Sequence, residues 1–216
     1  MANINRPRGF TPVRHLNGAP FNGATQMYYV PSTDTTAYAV GDLVKLVGTT
    51  NSEDFYNYGC PIVTRAAAGN TPLLGAIVGF KADPNNLVNS GFRQNPSGAT
   101  AGFYVWVADA PDLIFEAQLC GASGAAVAPN VTAAAGTNYI GLNASIYAPT
   151  ATSNFGSGLS GMMVDSSTAA TTNTLALKIL NYSRRMDQDL TTSGNYAKVD
   201  VLINAHLFSN ASVAGI

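Results

Sequence analysis

The stretch Phe103–Leu119, FYVWVADAPDLIFEAQL, sets two apolar runs around Asp109-Ala110-Pro111-Asp112. A proline at the second turn position between acidic residues is a type I turn signal. The pattern therefore predicts a hairpin of two core strands. In the second run Leu113, Phe115, Ala117 and Leu119 share one face, with Glu116 and Gln118 opposite, the period of a half-buried strand. In the first run both faces are apolar: Phe103, Val105 and Val107 on one, Tyr104, Trp106 and Ala108 on the other. Such a strand is covered on two sides or meets another subunit, and Trp106 is read either as core or as an interface anchor.

Elsewhere short alternating runs are punctuated by Gly, Asn and Pro. Strands are expected at Gln26–Val30, Leu43–Val47, Ile62–Arg65, Leu74–Phe80, Tyr139–Tyr147, Met162–Val164 and around Leu175, Leu177 and Ile179. A last, long strand is expected over Lys198–Phe208, with His206 half-exposed on its polar face and hydrogen-bonded to a neighbour. Residues 81–102 read as a long loop with one helical turn near Leu87, and 121–136 as a loop with a short strand near Val127. Nine or ten strands without a convincing helix (roughly, by this pattern) point to an all-β chain, a sandwich or barrel of jelly-roll type with long loops. No repeat of fixed period is visible.

Residues 1–25 differ from the rest. Arg6, Arg8 and Arg14 stand there with no acidic residue, and Pro7, Pro12 and Pro20 favour extended chain. This is an arm, able to reach on the order of 80 Å when extended. It is read either as a flexible tail or as an arm docked on another surface, which Phe10 and the arginines suit, and removing residues 2–20 is expected to abolish that docking while leaving the fold intact. The remaining residues, 26–216, are read as a single β-rich domain, in which the sequence allows a sub-boundary near 120–138 without forcing one.

Composition narrows the function. Only 11% of the residues are Asp, Glu, Lys or Arg, against about 25% in an average soluble domain. So little charge suits a subunit packed among copies or partners. The formal net charge of −1 lacks the basic excess that phosphate binding needs, so no nucleic-acid partner is expected. No apolar run is long enough to span a bilayer, and the N-terminus has no signal-peptide core, so synthesis in the cytoplasm and no membrane partner are expected.

Catalytic patterns are absent from the sequence. Its two histidines are His15 in the arm and His206 near the end, and Gly158-Leu159-Ser160-Gly161 is followed by Met162 where a nucleophile elbow needs glycine. Cys60 and Cys120 lie in no metal spacing and read as small apolar residues. Asp109 and Asp112 are accounted for as turn residues. No enzyme activity, metal or cofactor is expected. The densest charge is Asn181–Leu190, where Arg184-Arg185 faces Asp187 and Asp189, read as a solvated strand end or as a salt-bridged contact with another subunit.

Pro7-Arg8-Gly9-Phe10 with Pro12-Val13-Arg14-His15, then Asn17-Gly18 on to Tyr29-Val30-Pro31, resembles the N-terminus of the head decoration (cement) proteins of tailed bacteriophages. The likeness continues through Gly41-Asp42-Leu43-Val44, Ile62–Gly69, Val107–Glu116, Gly141–Ala144, Ser160-Gly161, Asp165–Thr168 and Ile203–His206, covering most of the chain. It implies a non-enzymatic virion protein on the outer capsid surface, clamping neighbouring major capsid proteins, usually as a homotrimer, with a dimer as the alternative. The family has no catalytic residues to transfer. From the residues themselves, the capsid or subunit contacts are assigned to Arg6, Arg8, Phe10, Arg14, His15, Trp106, Arg184, Arg185, Asp187 and Asp189. The rival reading is a virion-associated carbohydrate- or receptor-binding β module, with Tyr28, Tyr29, Tyr56, Tyr58 and Trp106 stacking sugars.

Overall fold

The computed structural model describes residues 3–47, 59–69, 72–82, 92–127, 138–149, 158–190 and 196–209. The chain is all-β. Its strands are β1 (Thr11–His15), β2 (Gln26–Val30), β3 (Tyr38–Ala39), β4 (Leu43–Val47), β5 (Ile62–Arg65), β6 (Gly75–Phe80), β7 (Phe92–Arg93), β8 (Phe103–Ala108), β9 (Leu113–Cys120), β10 (Asn143–Tyr147), β11 (Met163–Ala170), β12 (Leu177–Tyr182) and β13 (Lys198–Ile203). The helical turn near Leu87 lies outside the described residues.

Two rings of strands follow one another along the chain. Strands β2, β5, β4, β6 and β8 form a closed barrel. In the second sheet β9 pairs with both β11 and β13, which closes β9, β11, β10, β12 and β13 into a ring as well. The connectivity is the same in both. The first strand lies parallel to the third, and the ring continues antiparallel through the second, fourth and fifth back to the first.

The likeness extends to register. Gly41 N–H donates to Ile77 O at 2.8 Å and Ile77 N–H to Asp42 O at 2.9 Å; Gly141 to Ile179 and Ile179 to Leu142 repeat both bonds at 2.8 and 2.9 Å. A bulge follows Ile77 against β8 and another follows Ile179 against β13. In each ring the second strand is entered through a turn whose glycine, Gly41 or Gly141, has positive φ (92° and 84°), a conformation that excludes most side chains. Corresponding inward positions, Val63 and Val164, Ile77 and Ile179, Val105 and Val199, Val107 and Val201, are all buried. The chain thus carries a topological repeat whose strands are unevenly spaced in sequence.

This arrangement corrects the expected hairpin. Ala110–Leu113 does form a turn, closed by Leu113 N–H to Ala110 O at 3.2 Å, but β8 pairs with β2 and β6 while β9 pairs with β1, β11 and β13. Asp109–Asp112 is the crossing between rings, upstream of the 120–138 stretch. A turn reverses the chain; it does not choose the neighbour, and both strands find better apolar partners elsewhere. The last strand is also shorter than expected, ending at Ile203. There the Asn204 amide turns to the carbonyls of Asn173 and Leu175, at 2.9 and 3.0 Å, and the chain leaves the sheet.

Between the rings lies a buried seam. Leu43, Ala76 and Ala108 point outward from the first ring and share one apolar cluster with the interior of the second. Asp42, 1% exposed, joins both rings. It accepts from Ala39 N–H at 2.8 Å, Arg65 Nε at 3.0 Å and Ser160 Oγ at 2.6 Å. Backbone bonds add to the seam, from Ser160 N–H to Val40 O and from Leu73 N–H to Ala205 O.

The arm is part of this fold. Gly9 packs against Gly41 so closely that a Cβ on either would overlap the other segment's backbone. Phe10 is fully buried in the seam cluster, with its N–H on Gly41 O at 2.9 Å. Strand β1 then extends β9, with Pro12 beside a bulge where its missing N–H is tolerated. The expectation that residues 2–20 could be removed without harm to the fold is therefore overturned. Phe10→Ala is expected to cost about 3–5 kcal/mol, and Asp42→Ala a comparable amount, about 3–5 kcal/mol, by leaving Arg65 buried without its partner. Urea unfolding curves check both, and a chain lacking residues 2–20 should show no cooperative transition at the wild-type midpoint.

A candidate contact face on the second ring

Residues 3–8 run across the outer face of β9 and β13. Asn3 and Asp189 exchange two hydrogen bonds, Asn3 Nδ2 to Asp189 O at 2.9 Å and Asp189 N–H to Asn3 Oδ1 at 3.0 Å. Gln118, fully buried beneath the arm, donates to Asn5 Oδ1 at 2.7 Å and accepts from Arg6 N–H at 3.0 Å. Lys198 Nζ donates to Arg6 O at 2.8 Å and to Gln118 Oε1 at 3.2 Å. The alternation of β9 places Gln118 and Glu116 on this face, where the arm needs side-chain amides to satisfy its backbone.

Residues 183–190 form the other border. Gln188 pins them, donating to Ser183 O at 3.0 Å and Lys198 O at 2.9 Å while accepting from Lys198 N–H at 2.8 Å. Arg185 reaches Glu116 at 2.6 Å and Asp187 at 3.5 Å. Arg14 on β1 pairs with Asp200 at 2.9 Å, and Ser183 Oγ donates to the other oxygen of that carboxylate at 2.7 Å. Met186 at the loop apex is fully exposed, and Ile4 is 71% exposed.

The structure thus brings the arm and the Asn181–Leu190 cluster together. Six of the eleven basic residues, Arg6, Arg8, Arg14, Arg184, Arg185 and Lys198, gather here against Glu116, Asp187, Asp189 and Asp200. Arg6, Arg8 and Arg184 are exposed, and among the described residues their guanidinium groups meet no carboxylate within ion-pair distance. Burial chiefly lowers the Lys198 ammonium to about 8; Glu116 opposes the shift, and Arg185 and Arg8 add to it. No family model, curated protein or solved structure matches the chain.

The remaining assigned residues lie apart. Phe10 is buried in the seam and offers nothing to a partner. His15 Nδ1 meets Asp112 Oδ1 at 3.0 Å at the crossing between rings. Trp106 projects from β8 on the first ring, 38% exposed, and so is not the core residue that one sequence reading made it. Sequence reasoning passed over Lys198 and Gln118. Their signal is the outward register of β13 and β9, where the two stand directly opposite each other.

His206 differs from its expected half-exposed strand position. It is 1% exposed in the turn after β13, its Nδ1 accepting Phe208 N–H at 3.0 Å. Nε2 then carries the proton, with no acceptor at hydrogen-bond geometry among the described residues. Cys60 and Cys120 are buried and not joined by a disulfide, with the Cys120 thiol raised to about 12 by burial. Among the described residues no His, Cys, Asp and Glu cluster could hold a metal ion.

Two pH dependences follow from the geometry. Burial lowers the His206 imidazole below its ordinary 6.5, so the unfolded chain binds the proton first, and stability falls as pH drops through 6.5 toward the folded value. His206→Gln should flatten the decline in melting temperature between pH 7 and pH 5 relative to wild type. Lys198 carries its penalty in full below about 8 and loses it as pH rises toward the unfolded 10.5. A side-chain NMR titration should find one lysine near 8, moved upward by Arg185→Ala.

Proposed function

We propose that the chain is a structural virion protein, a head decoration or cement protein. It binds the outer surface of an icosahedral head and clamps neighbouring major capsid proteins, as a homotrimer or else a dimer, without catalysis. The observation that carries this reading is the charged face. A chain poor in charge gathers over half its cations at one arm-built surface and leaves three arginine forks there without a carboxylate partner among the described residues. Such forks suit carboxylates on a partner, since guanidinium is weakly hydrated and pairs bidentately. Rim charges of this kind give steering and register more than raw affinity.

Affinity then comes from number. Many copies on one lattice, each touching more than one subunit, gain from avidity, and a ligand that binds only the assembled shell stabilises it by mass action. Low charge elsewhere suits the sides that face neighbours.

The carbohydrate-binding alternative has weaker support. Tyr28 and Tyr29 are buried, at 4% and 2% exposure, so they offer no sugar-stacking platform. Tyr56 and Tyr58 lie outside the described residues. That leaves Trp106 alone, and a single indole is a poor basis for glycan recognition.

The test is attachment of the intact protein to expanded, undecorated heads, imaged by electron microscopy and quantified by co-sedimentation. Wild type is expected to decorate the heads. Arg8→Glu with Arg184→Glu should weaken attachment by about tenfold or more, the equivalent of some 1.4 kcal/mol, with an unchanged melting temperature. Binding to glycans in place of heads would overturn the reading.

A further inference from the structure

The two rings share a frame but differ along one edge of their first strand. On β9 the edge that meets β11 at Leu119 and Cys120 is prolonged by β1, which pairs along Leu113–Glu116. Matching the rings through Val105 opposite Tyr28 and Val199 opposite Ala117 sets Met27 in the place of Glu116, and Trp106 in the place of Asp200. On β2 the corresponding edge meets β5 only at Tyr29 and Ile62. Among the described residues no strand prolongs it along Ala24–Met27.

The sequence explains why β5 goes no further. Tyr29 N–H donates to Pro61 O at 3.0 Å. Strand alternation therefore turns the N–H and C=O of Met27 to the same side as those of Tyr29. Pro61 has no N–H to give to that carbonyl. Asn22, Gly23, Ala24 and Gln26 are exposed there. Nothing between Phe21 and Val30 carries a charge or a proline, the usual guards of an open edge. Trp106 stands above it 38% exposed, whereas its counterpart Asp200 is 6% exposed and held by Arg14 of the added strand.

We propose that the β2 edge at Ala24–Met27 accepts one extended segment of the shell protein, paired antiparallel as β1 is on β9. The partner's identity rests on the cement reading; the site rests on the comparison of the rings. Main-chain hydrogen bonds from Met27 would hold the segment, the mode of strand addition. Side-chain chemistry follows from the exchange of Asp200 for Trp106. Where β1 brings a guanidinium to a carboxylate, the incoming strand brings an apolar side chain to an indole and to Met27. A half-exposed tryptophan that becomes covered is a common binding anchor.

Amide hydrogen exchange on the intact protein, free and attached to undecorated heads, reads the edge directly. The peptide spanning residues 22–30 should exchange at least tenfold more slowly on heads, while residues 113–118, already paired with β1 and β13, should not change. Trp106→Ser should weaken attachment by about tenfold with an unchanged melting temperature, and Met27→Pro should abolish the protection. If Met27→Pro fails to fold, the exchange measurement and Trp106→Ser still decide. Attachment with equal exchange in both states would overturn the edge site and leave the cement reading standing. Protection that grows with protein concentration in the absence of heads would make the occupant a second copy and overturn the shell segment. Failure of wild type to attach would remove the cement reading and the shell partner together.

Discussion

The buried carboxylate of Asp42 is the constraint from which the rest of the molecule follows. A small five-stranded ring has too little interior to stabilise itself well, and its outer face remains partly apolar. Leu43, Ala76 and Ala108 need cover, and the second ring supplies it. Apolar contact alone would leave the rings free to slide. Asp42 prevents sliding because its charge is tolerable only while Ala39, Arg65 and Ser160 all point at it. One of those donors belongs to the second ring, so relative position and charge satisfaction become the same condition. Arg65 is held in turn by Pro149 O at 3.2 Å, which ties the seam again to the second ring.

The arm inherits its path from that seam. Gly9 and Gly41 approach closely only because neither has a side chain, and Phe10 then enters the gap between the rings. With Phe10 fixed, the residues before it are delivered to β9 and β13, and those after it to the edge of β9. Gln118 and Lys198 complete the path by bonding a backbone that would otherwise have to be solvated. The charged face is thus a consequence of core packing. It exists where the arm is anchored, and its cations are held at fixed positions rather than on a free tail.

Much of the fold was legible from alternation, because a half-buried strand imposes a period of two whichever strand it pairs with. Val105 and Val107, Leu177 and Ile179, and Val199 and Val201 announced inward faces, and Gly41-Asp42 announced the entry to a strand. Pairing was not legible. Asp109–Asp112 has the chemistry of a turn, and turn chemistry fixes a reversal without saying whether the next strand returns to the same sheet. The repeat was hidden for a related reason. Inward positions share only apolar character, several outward ones differ in kind, as Met27 against Glu116 and Tyr29 against Gln118 show, and unequal loops remove any fixed period. Composition flagged the arm and the Arg184–Asp189 cluster separately. That they meet depends on the reciprocal bonds of Asn3 and Asp189, which leave no trace in local pattern.

On the proposed reading, a repeated frame with unlike outer faces separates two tasks that conflict on one surface. The outer edge of β9 is closed within the chain by β1, and that closure commits its side chains, Glu116, Gln118 and Asp200, to internal partners. Those residues cannot be retuned for an external partner without loosening the arm. Among the described residues no strand closes the first ring along Ala24–Met27, and its outward residues there are apolar, with Met27 against the cluster of Tyr29, Cys60, Ile62 and Tyr104 and Trp106 half-exposed. On the proposed reading, electrostatic steering and dry contact consequently fall on different rings. Arg6, Arg8 and Arg184 are exposed beside the arm, where screening by salt makes such charges adjustable, while the indole sits where its burial would strand no charge of its own. A single ring would have to place guanidinium and indole on one edge, and desolvating the first would oppose burying the second.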